Sequence, residues 1–166
     1  PTQIGTRTDW AKVGIGTSTT YAIDKQGWLW GWGGNSLGQL ANNSTANTNS
    51  PILISTSSWT MVAGGSGFMH AIRIDGSLYA AGRNNYGMLG DGTVSPKSSL
   101  VLISSGSNTW QYILTAPHSL RGYAIKQNGT LWGWGYGGSP GFYIGDGGTT
   151  QQTAPVQVLG SWIFVR

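Results

Sequence analysis

One unit is written three times along this chain. YAIDKQGWLWGWG at 21–33 returns as HAIRIDGSLYAAG at 70–82 and as YAIKQNGTLWGWG at 123–135. Ala22, Ala71 and Ala124 correspond, as do Ile23, Ile72 and Ile125; Gly27, Gly76 and Gly129; Leu29, Leu78 and Leu131; and Gly33, Gly82 and Gly135. A tryptophan stands upstream of each copy, at Trp10, Trp59 and Trp110, and a fourth follows at Trp162, at intervals of 49, 51 and 52 residues. A period near 50 excludes most folds, because a single supersecondary unit of that size cannot cover its own apolar face and must stack on its neighbours.

The unit reads as four short strands. WAKVG, WTMVA and WQYIL, with the terminal WIFVR, form the first, with Val13, Val62, Ile113 and Val165 in one register. The second and third strands meet at Gln26-Gly27, Asp75-Gly76 and Asn128-Gly129, where the glycine supplies the positive φ that a tight hairpin demands. PILIS at 51, LVLIS at 100 and PVQVL at 155 are the fourth strands, each reached through a long loop, at 34–50, 83–99 and 136–154. No window carries sustained helical periodicity.

Four antiparallel strands per 50-residue unit predict an all-β chain of three β-propeller blades. Blades stack face to face and bury both sheet faces, so Trp28, Trp30 and Trp32 are expected on one side of their strand, filling the gap between blades, with Leu29 on the other. The repeats divide the chain into 10–58, 59–109 and 110–161, with 1–9 as the end of a preceding repeat and 162–166 as the first strand of a further one. The opening at Pro1, without an initiator methionine, reads as a processed or excised piece. Three blades do not close a ring, since propellers have about four to eight. Either further repeats belong to the array, or copies assemble so that open edges pair.

The recurring order of Trp, Ala-Ile, hairpin Gly, Leu-aromatic and the Leu-Gly step of GMLGDG and YIGDGG resembles the regulator of chromosome condensation repeat. The resemblance covers nearly the whole chain, with departures at LANN (40–43), at Ala80-Ala81 and in the enlarged loop YGGSPGFYIGDGG. It implies a place among seven-bladed propellers whose functions range from nucleotide exchange on a small GTPase to chromatin docking, enzyme inhibition and recognition within larger chains. The exchange activity of the founding member depends on an inserted β-wedge, and no insertion here resembles it.

Charged residues make up only 8% of the chain, against roughly 25% in ordinary domains. Glutamate and cysteine are absent, and the acids are Asp9, Asp24, Asp75, Asp91 and Asp146. This excludes a glutamate base, a thiolate nucleophile and zinc-ribbon ligands. The basic residues are scattered singly, so the net charge of +4 forms no stripe of the kind that holds nucleic acid. No apolar run is long enough to span a bilayer. His70 occupies the strand position of Tyr21 and Tyr123, His118 stands beside Pro117 in an irregular stretch, and no G-x-S-x-G elbow exists. Asp91 and Asp146 sit in Gly-Asp-Gly, which suits a turn as well as a calcium ligand. No catalytic residue, metal or cofactor is therefore assigned.

Function is then expected in the long loops, which diverge while the strands agree. The candidate contacts with a ligand or partner are Asn35, Tyr86, Tyr136, Phe142 and Tyr143. Low charge, polar repeats such as ANNSTANTNS at 41–50, and open ends point to a structural or binding module of a virion appendage (phage tail or fibre) or surface assembly recognising a protein or a glycan, located extracellularly or on a virion. Self-assembly through open blade edges belongs to the same reading. The alternative is an intracellular regulatory propeller fragment that binds a small GTPase or another protein.

Overall fold

The computed structural model describes residues 3–103, 109–137 and 143–160, so the expected first strand at 162–166 lies outside the described residues. Twelve strands build three four-stranded antiparallel sheets. Blade one comprises β1 (Trp10–Ile15), β2 (Thr19–Asp24), β3 (Leu29–Gly33) and β4 (Thr48–Ser55). Blade two comprises β5 (Trp59–Gly64), β6 (Phe68–Arg73), β7 (Leu78–Gly82) and β8 (Lys97–Leu102). Blade three comprises β9 (Trp110–Leu114), β10 (Arg121–Lys126), β11 (Leu131–Gly135) and β12 (Gln152–Gln157). Each sheet runs in sequence order from its first strand to its fourth, and no helix occurs among the described residues.

The hairpin glycines act as the sequence requires. Gly27, Gly76 and Gly129 have φ of 82°, 79° and 81°, and each donates its N–H to a carbonyl three residues back, on Asp24, Arg73 and Lys126. The flanking residues of the turns keep negative φ, so these are three-residue loops with glycine at the bulge position. In blade one the Asp24 carboxylate also accepts from the N–H groups of Gln26 and Trp28.

Blades meet with their first strands side by side. Gly16 and Gly64 bring β1 and β5 so close that a Cβ on Gly64 would lie 2.8 Å from the Gly16 Cα, and the Ile113 N–H of β9 points at the Met61 sulfur of β5. Two cores fill the junctions. Between blades one and two, Tyr21, Ile23, Leu29, Leu40 and Ala41 pack on Trp59, Val62, Met69, Ala71 and Ala81. Between blades two and three, Ile72, Leu78, Met88 and Leu89 pack on Trp110, Ile113, Ala124 and Trp134.

The expectation of three tryptophans on one face of a strand needs correction. Trp28 precedes β3 and is 36% exposed; it closes the hairpin turn, its N–H donating to the Asp24 carboxylate and its carbonyl accepting from the Asp24 N–H. Trp30 and Trp32 do alternate with Leu29, yet both are only half-buried. Their equivalents in the identical LWGWG of β11 are Trp132 and Trp134, and Trp134 is fully buried. The difference is the neighbour: β11 faces blade two, whereas no described blade covers that side of β3.

The repeat tryptophans form a second constant feature. Trp10, Trp59 and Trp110 stand edge-on to Trp30, Tyr79 and Trp132, with ring centroids 5.8, 5.4 and 6.1 Å apart. A cation covers each pair, since the face of an aromatic ring is electron-rich. The last residue of the second strand supplies it in blades two and three: Arg73 lies 6.0 Å from the Tyr79 centroid, and the Lys126 ammonium 4.2 Å from that of Trp132. Burial lowers the pKa of Lys126 from the ordinary lysine value. Blade one has Asp24 at that place, and it recruits Arg7 instead, whose guanidinium bonds Asp24 at 2.9 Å and lies 4.2 Å over Trp30.

Candidate protein-binding face

The loops after the first and third strands of every blade emerge at the same end of the sheets. The N–H groups of Gly34, Arg83 and Tyr136 donate to the carbonyls of Ser18, Gly67 and Leu120, tying each long loop to the short one of its own blade. The short loops also join blades: the Thr17 N–H donates to the Gly65 carbonyl, the Ser66 N–H to Ser119, and the Thr17 hydroxyl to the Pro117 carbonyl of blade three. One continuous face results.

Two buried asparagines shape its long loops. The Asn84 amide donates to the Thr93 and Ser95 carbonyls and to the Asp91 carboxylate, while its oxygen accepts from the Leu89 N–H. Asn35 does the same in blade one, donating to the Ser44 and Ala46 carbonyls and to Asn42, and accepting from Leu40. Both side chains are fully buried. Asn35, expected from sequence as a contact, therefore organises its loop from within. Blade three has Gly137 at this place.

Above this scaffold runs a strip of side chains. Leu37 of the first loop rests on Gly67 of blade two, whose φ of 80° and close cover leave no room for a side chain, and the Arg83 stem lies beside it. The Arg83 guanidinium donates to the Asn85 side-chain Oδ1 at 2.7 Å and reaches to 6.0 Å from the Tyr86 ring centroid. Tyr86 in turn meets Tyr136 of blade three, with ring centroids 4.8 Å apart. Leu37 is exposed, and Arg83, Tyr86 and Tyr136 are half-buried. Leu37 and Tyr86 occupy the same place in successive repeats, as do Arg83 and Tyr136, so each blade's loop residue leans on the first loop residue of the next blade.

Two of the expected contacts, Tyr86 and Tyr136, are thus brought together, and Leu37 and Arg83 join them unforeseen. Aligning the loops repeat against repeat would have found both. Tyr143 lies apart at the outer side of blade three, 54% exposed, its carbonyl accepting from Arg121 at 3.0 Å. Phe142 lies outside the described residues.

The titratable groups serve packing. His70 is fully buried, and loss of solvation lowers its pKa to about 4 despite the Leu89 and Met88 backbone. Its Nε2 lies 3.3 Å from the Leu89 carbonyl and its Nδ1 3.3 Å from the Thr115 hydroxyl. The Trp134 indole N–H donates to the Met88 carbonyl at 2.9 Å and also lies 3.2 Å from His70 Nε2, so that nitrogen faces both a donor and an acceptor. A neutral imidazole sealed between blades reaches no substrate. Asp91 caps its own turn through the Thr93 N–H and hydroxyl, and Asp146 through the Gly148 N–H. Among the described residues no group of three His, Cys, Asp or Glu could hold a metal.

Residues 26–72 match the sequence model of the Regulator of chromosome condensation (RCC1) repeat. The stretch from the first hairpin turn into β6 thus resembles an RCC1 repeat. The fold of the chain is that of solved RCC1-type propellers: Prp20p from Saccharomyces cerevisiae, described with its binding to Gsp1p and histones, superposes with a TM-score of 0.78 at 19% identity over 92% of this chain and 39% of that one. Yeast RCC1 (Prp20) in a structure with Kap60 gives 0.77 at 18% identity, over 92% of this chain and 37% of that one. Human WBSCR16 gives 0.76 at 20% identity, over 91% and 40%. The chain therefore spans about two fifths of the length of these solved proteins. No curated protein matches it in sequence. The RCC1 repeat match and these partners, Gsp1p, histones and Kap60, place the similar proteins inside cells, which overturns the expected extracellular or virion-surface location. Nothing in the comparisons supports a virion appendage or glycan binding.

Proposed function

We propose that this RCC1-type array is a protein-recognition module whose contact surface is the loop face, and that its role is binding rather than catalysis. The observation that carries this reading is the strip Leu37, Arg83, Tyr86 and Tyr136, which crosses all three blades on one face. Aromatic and arginine side chains dominate the energetics of protein interfaces, and here they sit on loops braced by buried asparagines, so little order has to be gained on binding. The net charge of +4 favours an acidic partner over a basic one such as a histone. A small GTPase is the partner class to test first, as the similar Prp20p is described with Gsp1p.

The test is calorimetric titration of the 166-residue chain with Gsp1p, beside the Arg83→Ala/Tyr136→Ala double variant. Saturable binding that weakens by tenfold or more in the double variant is the expected result. Binding that the double variant leaves unchanged, or no heat at any concentration reached, counts against the reading.

A further inference from the structure

The long loop of blade two opens with a pair of side chains that neither neighbouring blade has. Arg83 stands one place before the buried Asn84, and Asn85 one place after it. In blade one the same places hold Gly34 and Ser36, and that loop closes on its own Asn35 in the same way. The loop therefore needs neither the arginine nor the second asparagine in order to form. Blade two also has a described blade on each side, so the surroundings of the pair come from within this chain.

The Arg83 side chain is held from both ends. Its backbone N–H donates to the Gly67 carbonyl at 2.8 Å, and its stem lies beside Leu37 over Gly67. Its Nε donates to Asn85 Oδ1 at 2.7 Å, which leaves the Nη1 and Nη2 edge of the guanidinium for another acceptor. Among the described residues neither Nη makes a hydrogen bond, and no carboxylate forms an ion pair with Arg83. The other cations at this end of the described sheets are engaged: Lys97 lies 3.9 Å from Asp91, and Arg121 donates to the Tyr143 carbonyl. Asn85 is exposed, and with its oxygen turned to Arg83 its Nδ2 is a further donor without an acceptor among the described residues.

A guanidinium edge beside a carboxamide nitrogen offers donors and no acceptor. Its complement is a planar group that only accepts, the carboxylate, which takes two parallel N–H bonds from an arginine fork. Leu37 and the Tyr86 ring, whose centroid is 6.0 Å from the guanidinium, cover part of the place from water, and a charge pair is stronger there than in open solvent. An ammonium group or a basic tail would meet only like charge and more donors. We propose that the Nη edge of Arg83, positioned by Asn85, receives one Asp or Glu carboxylate of a protein partner and that this pair selects the partner; this rests on the loop face being the contact surface proposed above.

Selection of random displayed peptides on the folded 166-residue chain tests this without presuming a partner. The enriched peptides are expected to share an Asp or Glu at one place. A synthetic copy should lose affinity by about tenfold when that acid is replaced by its amide, and Arg83→Gln should cost as much, with no further loss when the two are combined. Arg83→Lys keeps the charge and most of the stem but not the fork, and should not restore binding. Asn85→Ala should weaken the peptide on the native chain and have no effect in the Arg83→Gln background. Enriched peptides without an acid, an acid whose amide binds equally well, or no enrichment at all overturns the proposal. Peptides that lose affinity for Tyr136→Ala but not for Arg83→Gln overturn it and leave the loop face as the contact surface; indifference to both variants counts against both.

Discussion

The indole N–H of Trp134, in blade three, donates to the carbonyl of Met88, in blade two, at 2.9 Å, and its ring stands edge-on to His70 with centroids 5.1 Å apart. A single side chain thereby fills the junction and satisfies a buried carbonyl of the blade before it. The neighbouring glycines, Gly90 and Gly122, make room for it at a separation no other residue permits.

Removing that ring should be among the costliest single changes in the molecule. Trp134→Ala is expected to lose about 3 to 5 kcal/mol, as other deletions of buried aromatics do. Trp134→Phe keeps most of the volume but leaves the Met88 carbonyl unpaired, at a cost of about 1 to 3 kcal/mol. Urea unfolding at neutral pH measures both, and equal losses for the two would refute the role given to the hydrogen bond.

His70 makes stability depend on pH. Its pKa in the folded chain is about 4, lowered by burial from the ordinary 6.5, so between these values the unfolded chain binds the proton and the folded chain does not. Stability therefore rises from pH 4 to pH 6.5 and is fully present above it, by about 3 kcal/mol for this group. Unfolding free energies at pH 7.5 and pH 4.5 should show the loss, and in His70→Gln that part of the slope should vanish.

Asn84 has its amide and its oxygen engaged within one loop, so Asn84→Ala leaves the Thr93 and Ser95 carbonyls and the Leu89 N–H without their partner. The expected loss is roughly 2 to 3 kcal/mol. Asn84→Asp should cost more, since it turns a carboxylate toward two carbonyls and Asp91. Hydrogen exchange at Leu89 reports the loop directly; protection unchanged in Asn84→Ala would contradict its role.

In blade one, Asp24 accepts from two turn N–H groups, the Trp30 indole and Arg7. Asp24→Ala should destabilise the chain by roughly 2 to 3 kcal/mol. Asp24→Lys tests the equivalence with Lys126: the ammonium can cover Trp10 and Trp30 itself, so Arg7→Ala should matter less in that background. A double-mutant cycle by thermal unfolding decides, and additive losses would show that the two cations do not compete for one place.

Much of this was legible beforehand. The strands, the hairpin glycines and the propeller class follow from residues whose roles are local, and Tyr86 and Tyr136 stood out as loop aromatics. Asn35 was misjudged because nothing in a polar loop reveals which polar group turns inward; its repetition as Asn84, each with carbonyl partners nine and eleven residues on, was the available clue. Leu37 was missed because its contacts, Gly67 and the Arg83 stem, lie in the next blade, and Arg83 because a lone arginine in a polar loop does not show which ring it will reach. The location drawn from low charge and polar composition failed because composition reports solvation and not address.

The sequence by itself determined the blade: its period sets the number of units, its alternation the two faces of each sheet, and its glycines the hairpins, all through interactions within a few residues. Tertiary structure alone decided what each face does. LWGWG occurs twice, letter for letter, at 29–33 and 131–135, and yields a half-open Trp32 in one blade and a sealed Trp134 in the other. Burial is a property of the pair of surfaces that meet, and no local run of residues contains its own neighbour.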